Sequence, residues 1–419
     1  MTNEIPKVDH LLLLVGGNPL PNAVAGLLQG KQDGRISLIC SAETAVIAQR
    51  LQIWLKEKGG FRLPNLYQVD EVNAGTISRE IRRSLQAGEG KAGLNYTGGT
   101  KAMAVHAYRV AEMWAEENEM PRPLFSYLDA RSLAMVIDPV VPERGEASHA
   151  TYVGRSVEIK VEDLITLHGW SLQKNSPTVT AVLPQTAYAL AQVQANEAGR
   201  QAWLRWLKEE LEANCRRENK NDWKSKTELN KQRLNWPAAT DSQLQAVTTA
   251  LQQELGVTGE TLSIQEATMA SGEKQPKNFC GWLHGKWLEH FVLTILQNLP
   301  EAVHLHQAVQ NIETREVQFD VDIAAMRGYQ LFAISCSTSH TKGILKSKLF
   351  EAYIRARQIG GDEARIALIC CSDDPLTLER EMQRDWDRDG RIRVFGREHL
   401  LTLSEELTWW IQSQSQENL

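Results

Sequence analysis

The chain has 419 residues, 46 of them basic and 52 acidic, for a net charge of −6. At roughly 100–200 residues per domain this length predicts two or three domains, and the acidic balance excludes a protein that coats nucleic acid through its overall field, so phosphate binding has to be local. Six cysteines with no CxxC pair exclude a zinc ribbon and fit reduced thiols in a cytoplasmic setting.

Residues 10–15 (HLLLLV) form a compact apolar run closed by Gly16-Gly17-Asn18-Pro19, read as a buried parallel strand ending in a turn. With no basic leader, this N-terminal run is a strand rather than a signal peptide. No stretch approaches the roughly 18 consecutive apolar residues of a membrane span. Residues 21–29 read as a short helix with Pro21 in its first turn. Residues 36–40 are a second strand, and Ser41 is placed to cap a helix over 42–58. Residues 66–69 are a third strand, and a helix over 76–86 puts Ile77, Ile81 and Leu85 on one face. Residues 92–96 are a fourth strand, broken by Thr97-Gly98-Gly99-Thr100 before a helix over 101–117. Residues 123–128 and 132–137 read as paired strands. This alternation is that of a doubly wound parallel α/β sheet, taken to occupy residues 1–150.

Residues 151–275 read as a largely helical connecting region, with the strongest helical pattern over 186–211. Residues 276–419 change character again. A helix over 281–297 carries Trp282, Trp287, Leu288, Phe291 and Ile295. Strands follow over 317–325 and 329–335 across a turn at Arg327-Gly328, then a helix over 346–358 ended by Gly360-Gly361, and strands over 365–371 and 391–396.

Two loops carry the first chemistry. Gly16 to Asn22 and Asn95 to Met103 both leave the carboxyl ends of predicted strands, the edge where open α/β sheets bind ligands. Glycines admit a phosphate close to the backbone, and the following helix points free N–H groups and a positive dipole end at it. Thr97, Thr100 and Lys101 add two hydroxyls and a charge. Neither loop matches GxGxxG or GxxxxGK[ST], which disfavours a dinucleotide enzyme or a P-loop ATPase.

The runs LNYTGGTKAMAVHAYR, VGGNPLPN and LITLHGW together resemble the CARF-domain family of CRISPR ancillary proteins, in the form where a Rossmann-like CARF domain is fused to a PD-(D/E)xK-type, restriction-endonuclease-like domain. The resemblance implies a homodimer that binds a cyclic oligoadenylate across its two-fold axis, cyclic tetra-adenylate being the common ring. It implies a C-terminal nuclease acting on single- or double-stranded nucleic acid in type III antiviral defence, away from any membrane. By matching motifs, Gly17, Asn18, Pro21 and Asn22 fall on the first ligand loop, and Thr97, Gly98, Gly99, Thr100, Lys101 and Met103 on the second. Ser41 and Thr76 are added from their places at strand ends.

For the nuclease, the resemblance implies carboxylates holding magnesium or manganese and a lysine that stabilises developing charge. Glu289 on the helix and Asp320 on the next strand are the expected metal ligands, with Asp322 sharing one strand face with Asp320 as the alternative. The following strand departs from the pattern. Where an acidic residue, a spacer and a lysine are expected, it has Ser335-Cys336-Ser337, and serines replace neither charge. Two readings stay open. In one, Lys342, Lys346, Lys348 or Glu351 supplies the missing group, with Lys346 and Lys348 the leading lysines. In the other, the domain grips nucleic acid or a partner without cutting. Degradation of the ligand by the sensor itself has no distinct catalytic group behind it. His284, His290, His304, His306 and His340 show no metal spacing and read as packing or surface residues.

Overall fold

The computed structural model describes residues 4–139, 148–218, 222–316, 321–387 and 390–414. Among these residues fourteen strands build three sheets. The first seven are β1 (Val8–Leu14), β2 (Gly30–Cys40), β3 (Asn65–Gln68), β4 (Ala92–Asn95), β5 (Leu124–Asp129), β6 (Ala134–Ile137) and β7 (His149–Tyr152). They lie in the order β3-β2-β1-β4-β5-β6-β7, parallel up to β5 and antiparallel beyond it. The order reverses direction between β1 and β4, the switch point at whose carboxyl edge open α/β sheets bind ligands. β1 is apolar on both faces because helices cover both. On one side Leu12, Leu14 and Leu94 pack against α3 (Ala74–Gln86) and α4 (Lys101–Glu117). On the other, Leu11 and Leu13 join α1 (Leu20–Gln29) and α2 (Ala45–Glu57).

A two-stranded pair, β8 (Arg233–Asn235) and β9 (Thr261–Ser263), lies among the helices between the larger sheets. The last sheet runs β10 (Gln307–Gln310), β11 (Ile323–Arg327), β12 (Gln330–Ser337), β13 (Arg365–Cys370) and β14 (Ile392–Phe395) in sequence order. Its first three strands are antiparallel and its last three parallel. The helix Lys342–Gly360 covers one face with Leu345, Leu349, Ala352 and Ala356, in an apolar core continuous with that of the first sheet. The other face packs against the helix Trp287–Gln297 and against Trp203, Trp206, Leu211 and Leu251. The helical residues 184–270 thus supply core to the second sheet as well as connecting to it.

Several boundaries differ from the sequence reading for local reasons. The helix expected from residue 42 starts at Ala45. Ser41 and Thr44 bond each other first, the Thr44 N–H donating to Ser41 Oγ at 3.3 Å and the Ser41 N–H to Thr44 Oγ1 at 3.0 Å. The hairpin turn is Gly328-Tyr329, with Arg327 opposite Gln330 and Gly328 at φ +58°. The helix expected from Lys346 starts a turn earlier, at Lys342. Residues 317–320 of the expected strand, Asp320 included, lie outside the described residues. None of the helices among the described residues is long and apolar enough to cross a membrane.

A turn at Gly361–Glu363 joins the long helix to β13. Glu363 is 2% exposed, and burial pushes its carboxyl up to about 7, with Asp362 adding to the shift and the backbone, Arg365 and Arg391 opposing it. The unfolded chain releases this proton near the ordinary value of 4.5, whereas the folded chain keeps it to about 7. Between those values the folded state binds more protons, so the stability this group contributes is full below 4.5 and lost as pH rises through 7. Glu363→Gln is therefore expected to flatten this dependence and to stabilise the chain above neutrality by up to about 3 kcal/mol. Denaturant midpoints at acidic and alkaline pH check it, and an unchanged pH slope would contradict it.

Candidate functional site

The structure brings the two glycine loops together. β1 and β4 are neighbours in the sheet, with Leu13 opposite Asn95, so the loops leave the same edge side by side. A Cβ on Gly16 would stand 3.0 Å from the Gly99 nitrogen, and one on Gly98 only 2.2 Å from the Leu14 carbonyl oxygen. Gly98 is thus required by the close approach of the loops, and Gly99 by its φ of +74°. The N-termini of α1 and α4 both face this edge.

The expected ligand-loop residues divide by what they already bond. Thr97 is spent on the fold: its Oγ1 donates to Asn95 Oδ1 at 2.7 Å and accepts from the Leu128 N–H at 2.7 Å. Thr100 caps α4 by accepting from the Met103 N–H at 3.2 Å, and buried Met103 packs over Gly99. Pro21 and Asn22 are buried in α1. Asn22 Nδ2 donates to the Leu14 carbonyl at 2.9 Å, while its Oδ1 has no partner among the described residues and faces Gly98. Ser41 is buried in its turn, and Thr76 Oγ1 donates to the Asn73 carbonyl at 2.9 Å. Gly17 and Lys101 are exposed, and Lys101 forms no ion pair among the described residues. Asn18 reaches elsewhere: its Nδ2 stands 2.2 Å from where a Cβ of Gly361 would lie. The first loop therefore touches the turn that ends the helix Lys342–Gly360.

The second constellation lies at the open end of the β11–β12 hairpin. A cavity of about 430 Å³ there is lined by Lys286, Glu289, Glu313, Asp322, Ser335, Lys348 and Glu351, among others. Asp322, just ahead of β11, anchors it. Its Oδ2 accepts from Ser335 Oγ at 2.9 Å and from the Cys336 N–H at 2.7 Å. Lys348 Nζ stands 3.6 Å from that oxygen and donates to the Cys336 carbonyl at 3.0 Å. Glu289 is half-buried on the facing helix. Burial and the neighbouring Asp322 charge push its carboxyl up to about 7, against the pull of Lys286 and Lys348.

Glu289, Asp322, Ser335 and Lys348 are thus brought together, and two expected residues are not. Lys346 pairs with Glu381 at 2.6 Å, as Lys342 also does. Ser337 is buried at the strand end, where its Oγ accepts from the Ser339 N–H at 3.3 Å. Lys286 and Glu313 line the cavity without having been singled out in sequence. Lys286 stands one helical turn before Glu289, and that i,i+3 spacing was the available signal. The five-residue π-helical segment Trp282–Lys286 was not legible beforehand. Its partner across the molecule is a second π segment, Leu207–Glu212: His284 Nε2 meets Glu212 Oε1 at 2.9 Å. His290 is held neutral, its pKa lowered to about 4 by burial and by Lys286, and it accepts from the Val182 N–H at 2.9 Å.

The donors lining the cavity are hard oxygens, the four carboxylates of Glu289, Glu313, Asp322 and Glu351 and the Ser335 hydroxyl, of the kind that hold magnesium or manganese. Among the described residues no three His, Cys, Asp or Glu side chains converge tightly enough to hold an ion by themselves. The residues fit an ion that completes its coordination with water and a substrate phosphate, as magnesium commonly does.

A scan of protein-family models gives no match to this chain, and neither does a search of curated proteins. Two solved structures resemble it over nearly their whole length. Protein VC1899 from Vibrio cholerae aligns with a TM-score of 0.67 at 19% identity, covering 99% of this chain and 100% of its own. Can2 from Sulfobacillus thermosulfidooxidans, solved in complex with cyclic tetra-adenylate, aligns with a TM-score of 0.64 at 15% identity, covering 96% and 99%. At such identities the likeness is one of fold, and it spans both large sheets.

Proposed function

We propose that the chain is a cyclic-oligoadenylate-gated, metal-dependent nuclease of type III CRISPR defence, acting as a homodimer. The observation that carries the reading is the placement of Lys348 3.6 Å from Asp322 in the pocket of Glu289. The ammonium that Ser335-Cys336-Ser337 lacks comes from the next helix. The glycine loops meeting at the sheet's switch point, with Lys101 exposed beside two helix N-termini, support the sensor half. The cyclic tetra-adenylate carried by Can2, a structure of the same fold, supports that ligand class.

In this mechanism Glu289 and Asp322 would hold the divalent ion, with Asp320 as a further candidate, and the ion they hold would supply polarisation of the phosphate and a more nucleophilic water. Ser335 and the Cys336 N–H fix the rotamer of Asp322. Lys348 places its charge where negative charge grows on the phosphoryl oxygens, and its bond to the Cys336 carbonyl holds it there. The contact between Asn18 and Gly361 supplies a route from the ligand loop to the helix carrying Lys348.

A second reading has a specific observation behind it. Asp322 Oδ2 already accepts two hydrogen bonds, as in a carboxylate kept for structure. The domain would then bind nucleic acid without cutting it. One assay separates the two: single-stranded and supercoiled DNA and single-stranded RNA, with magnesium or manganese, with and without cyclic tetra-adenylate. Cutting that needs the ligand and disappears in Glu289→Gln, Asp322→Asn establishes the nuclease. Ligand binding with no cutting under any metal overturns it in favour of the binding module.

A further inference from the structure

We propose that a second cavity, opening beside Glu289, is a track for a single strand of nucleic acid. It rests on the nuclease reading for what it delivers, a phosphodiester at the pocket of Glu289, Asp322 and Lys348. The cavity measures about 750 Å³ and shares Lys286, Glu289, Asn311 and Glu313 with that pocket, so the two are continuous.

Its wall carries four lysines against the three carboxylates of Glu273, Glu289 and Glu313, a local excess of positive charge that the chain as a whole lacks. Lys174, Lys274, Lys277 and Lys286 are all exposed along it, and none forms an ion pair among the described residues. In a chain of net charge −6, four such lysines leading to a pair of carboxylates match a phosphate backbone running toward a cation site. Glu273, on the same wall, accepts from Asn278 Nδ2 at 3.2 Å.

The interior adds two features that single strands use and duplexes do not. Trp223 lines the cavity half-buried, its ring backed by the Arg216 guanidinium at 4.7 Å and steadied by the His284 edge at 5.9 Å. A braced indole of this kind is a platform for an unstacked base. Deeper in, Trp282 is 1% and Gln310 4% exposed. Among the described residues the Trp282 indole N–H has no partner, and neither has Gln310 Oε1. Gln310 Nε2 is occupied by the Thr180 carbonyl at 3.2 Å and by His290 Nδ1 at 3.1 Å. A buried donor and a buried acceptor left unpaired in one wall are costly, and a ligand would meet them as the wall gives way to it. The edge of an unpaired base offers both partners, whereas a base inside a duplex has its pairing edge already engaged.

The test is fluorescence anisotropy of the full chain with labelled single-stranded DNA and RNA and their duplexes. EDTA is present so that binding is read without cleavage, and cyclic tetra-adenylate is supplied. Lys274→Glu with Lys277→Glu is expected to weaken single-strand binding at least about 10-fold and to flatten the salt dependence by about 1.4 in log–log slope. Trp223→Ala is expected to cost about 10-fold with the charges intact, while Lys56→Glu on α2 changes nothing. Wild-type binding by both track variants, or duplexes binding as tightly as single strands and indifferent to Trp223, overturns the proposal. The nuclease reading fails separately. Track-dependent binding with no cleavage once metal is restored keeps the track and removes the nuclease. Cleavage that needs Glu289 but not Lys274, Lys277 or Trp223 does the reverse.

Discussion

Lys348→Ala is expected to lower ligand-stimulated cleavage by about 10²–10³-fold, the usual cost of deleting one group that meets charge in the transition state. Lys346→Ala, two positions away, should stay within about twofold of wild type. The contrast follows from the helix. Two residues turn about 200° around its axis, so Lys346 points to Glu381 at 2.6 Å while Lys348 points to Asp322 at 3.6 Å. Lys348 is partly exposed, and its loss leaves the apolar contacts of Leu345 and Leu349 in place, so the fold should survive. Initial rates under saturating cyclic tetra-adenylate, with thermal melts of each variant, make the comparison. Equal losses in both variants, or a larger one in Lys346→Ala, would remove Lys348 from its assigned role.

Lys101→Ala should shift the ligand concentration for half-maximal activation upward by about 10–100-fold, the range for losing a hydrogen bond to a charged group. The maximal rate at saturating ligand should return to the wild-type level, because Lys101 lies at the N-terminus of α4, away from the second sheet's pocket. Binding measured directly by calorimetry should move by the same factor. A variant that binds and activates like wild type would place the ligand elsewhere. One that binds normally but never activates would make Lys101 part of the transmission instead.

The first sheet was legible because each of its central strands is an apolar run closed by a glycine, asparagine or serine turn, and buried strands need little more. HLLLLV, ISLIC and AGLNY are visible for that reason, and α4 starts where the Thr-Gly-Gly-Thr cap says it should. The edge of the second sheet was not. β10 reads QAVQ, four residues with no apolar period, and its place depends on pairing with β11. The helix Pro375–Trp386 is rich in charge and buries few apolar side chains, Leu378 and Met382 beside Pro375. At the site, residue types were visible but directions were not. Whether Lys346 or Lys348 faces Asp322 depends on how the helix is turned about its axis, and the packing of Leu345, Leu349, Ala352 and Ala356 sets it. Lys286 joins the pocket by way of a π segment, which periodicity at 3.6 residues per turn does not anticipate.

The contact of Asn18 with Gly361 ties one end of a 19-residue helix to the edge of the glycine loops, while Lys348 stands about 18 Å away along the same rod. Whatever free energy an occupied glycine loop spends in repositioning that rod is a thermodynamic linkage, and linkage runs both ways. On the proposed reading, a strand of nucleic acid lodged against Lys348 would tighten the hold on the cyclic nucleotide by the factor with which the nucleotide tightens the hold on the strand. Such a sensor would release its messenger more slowly while target is present and let it go as the target runs out.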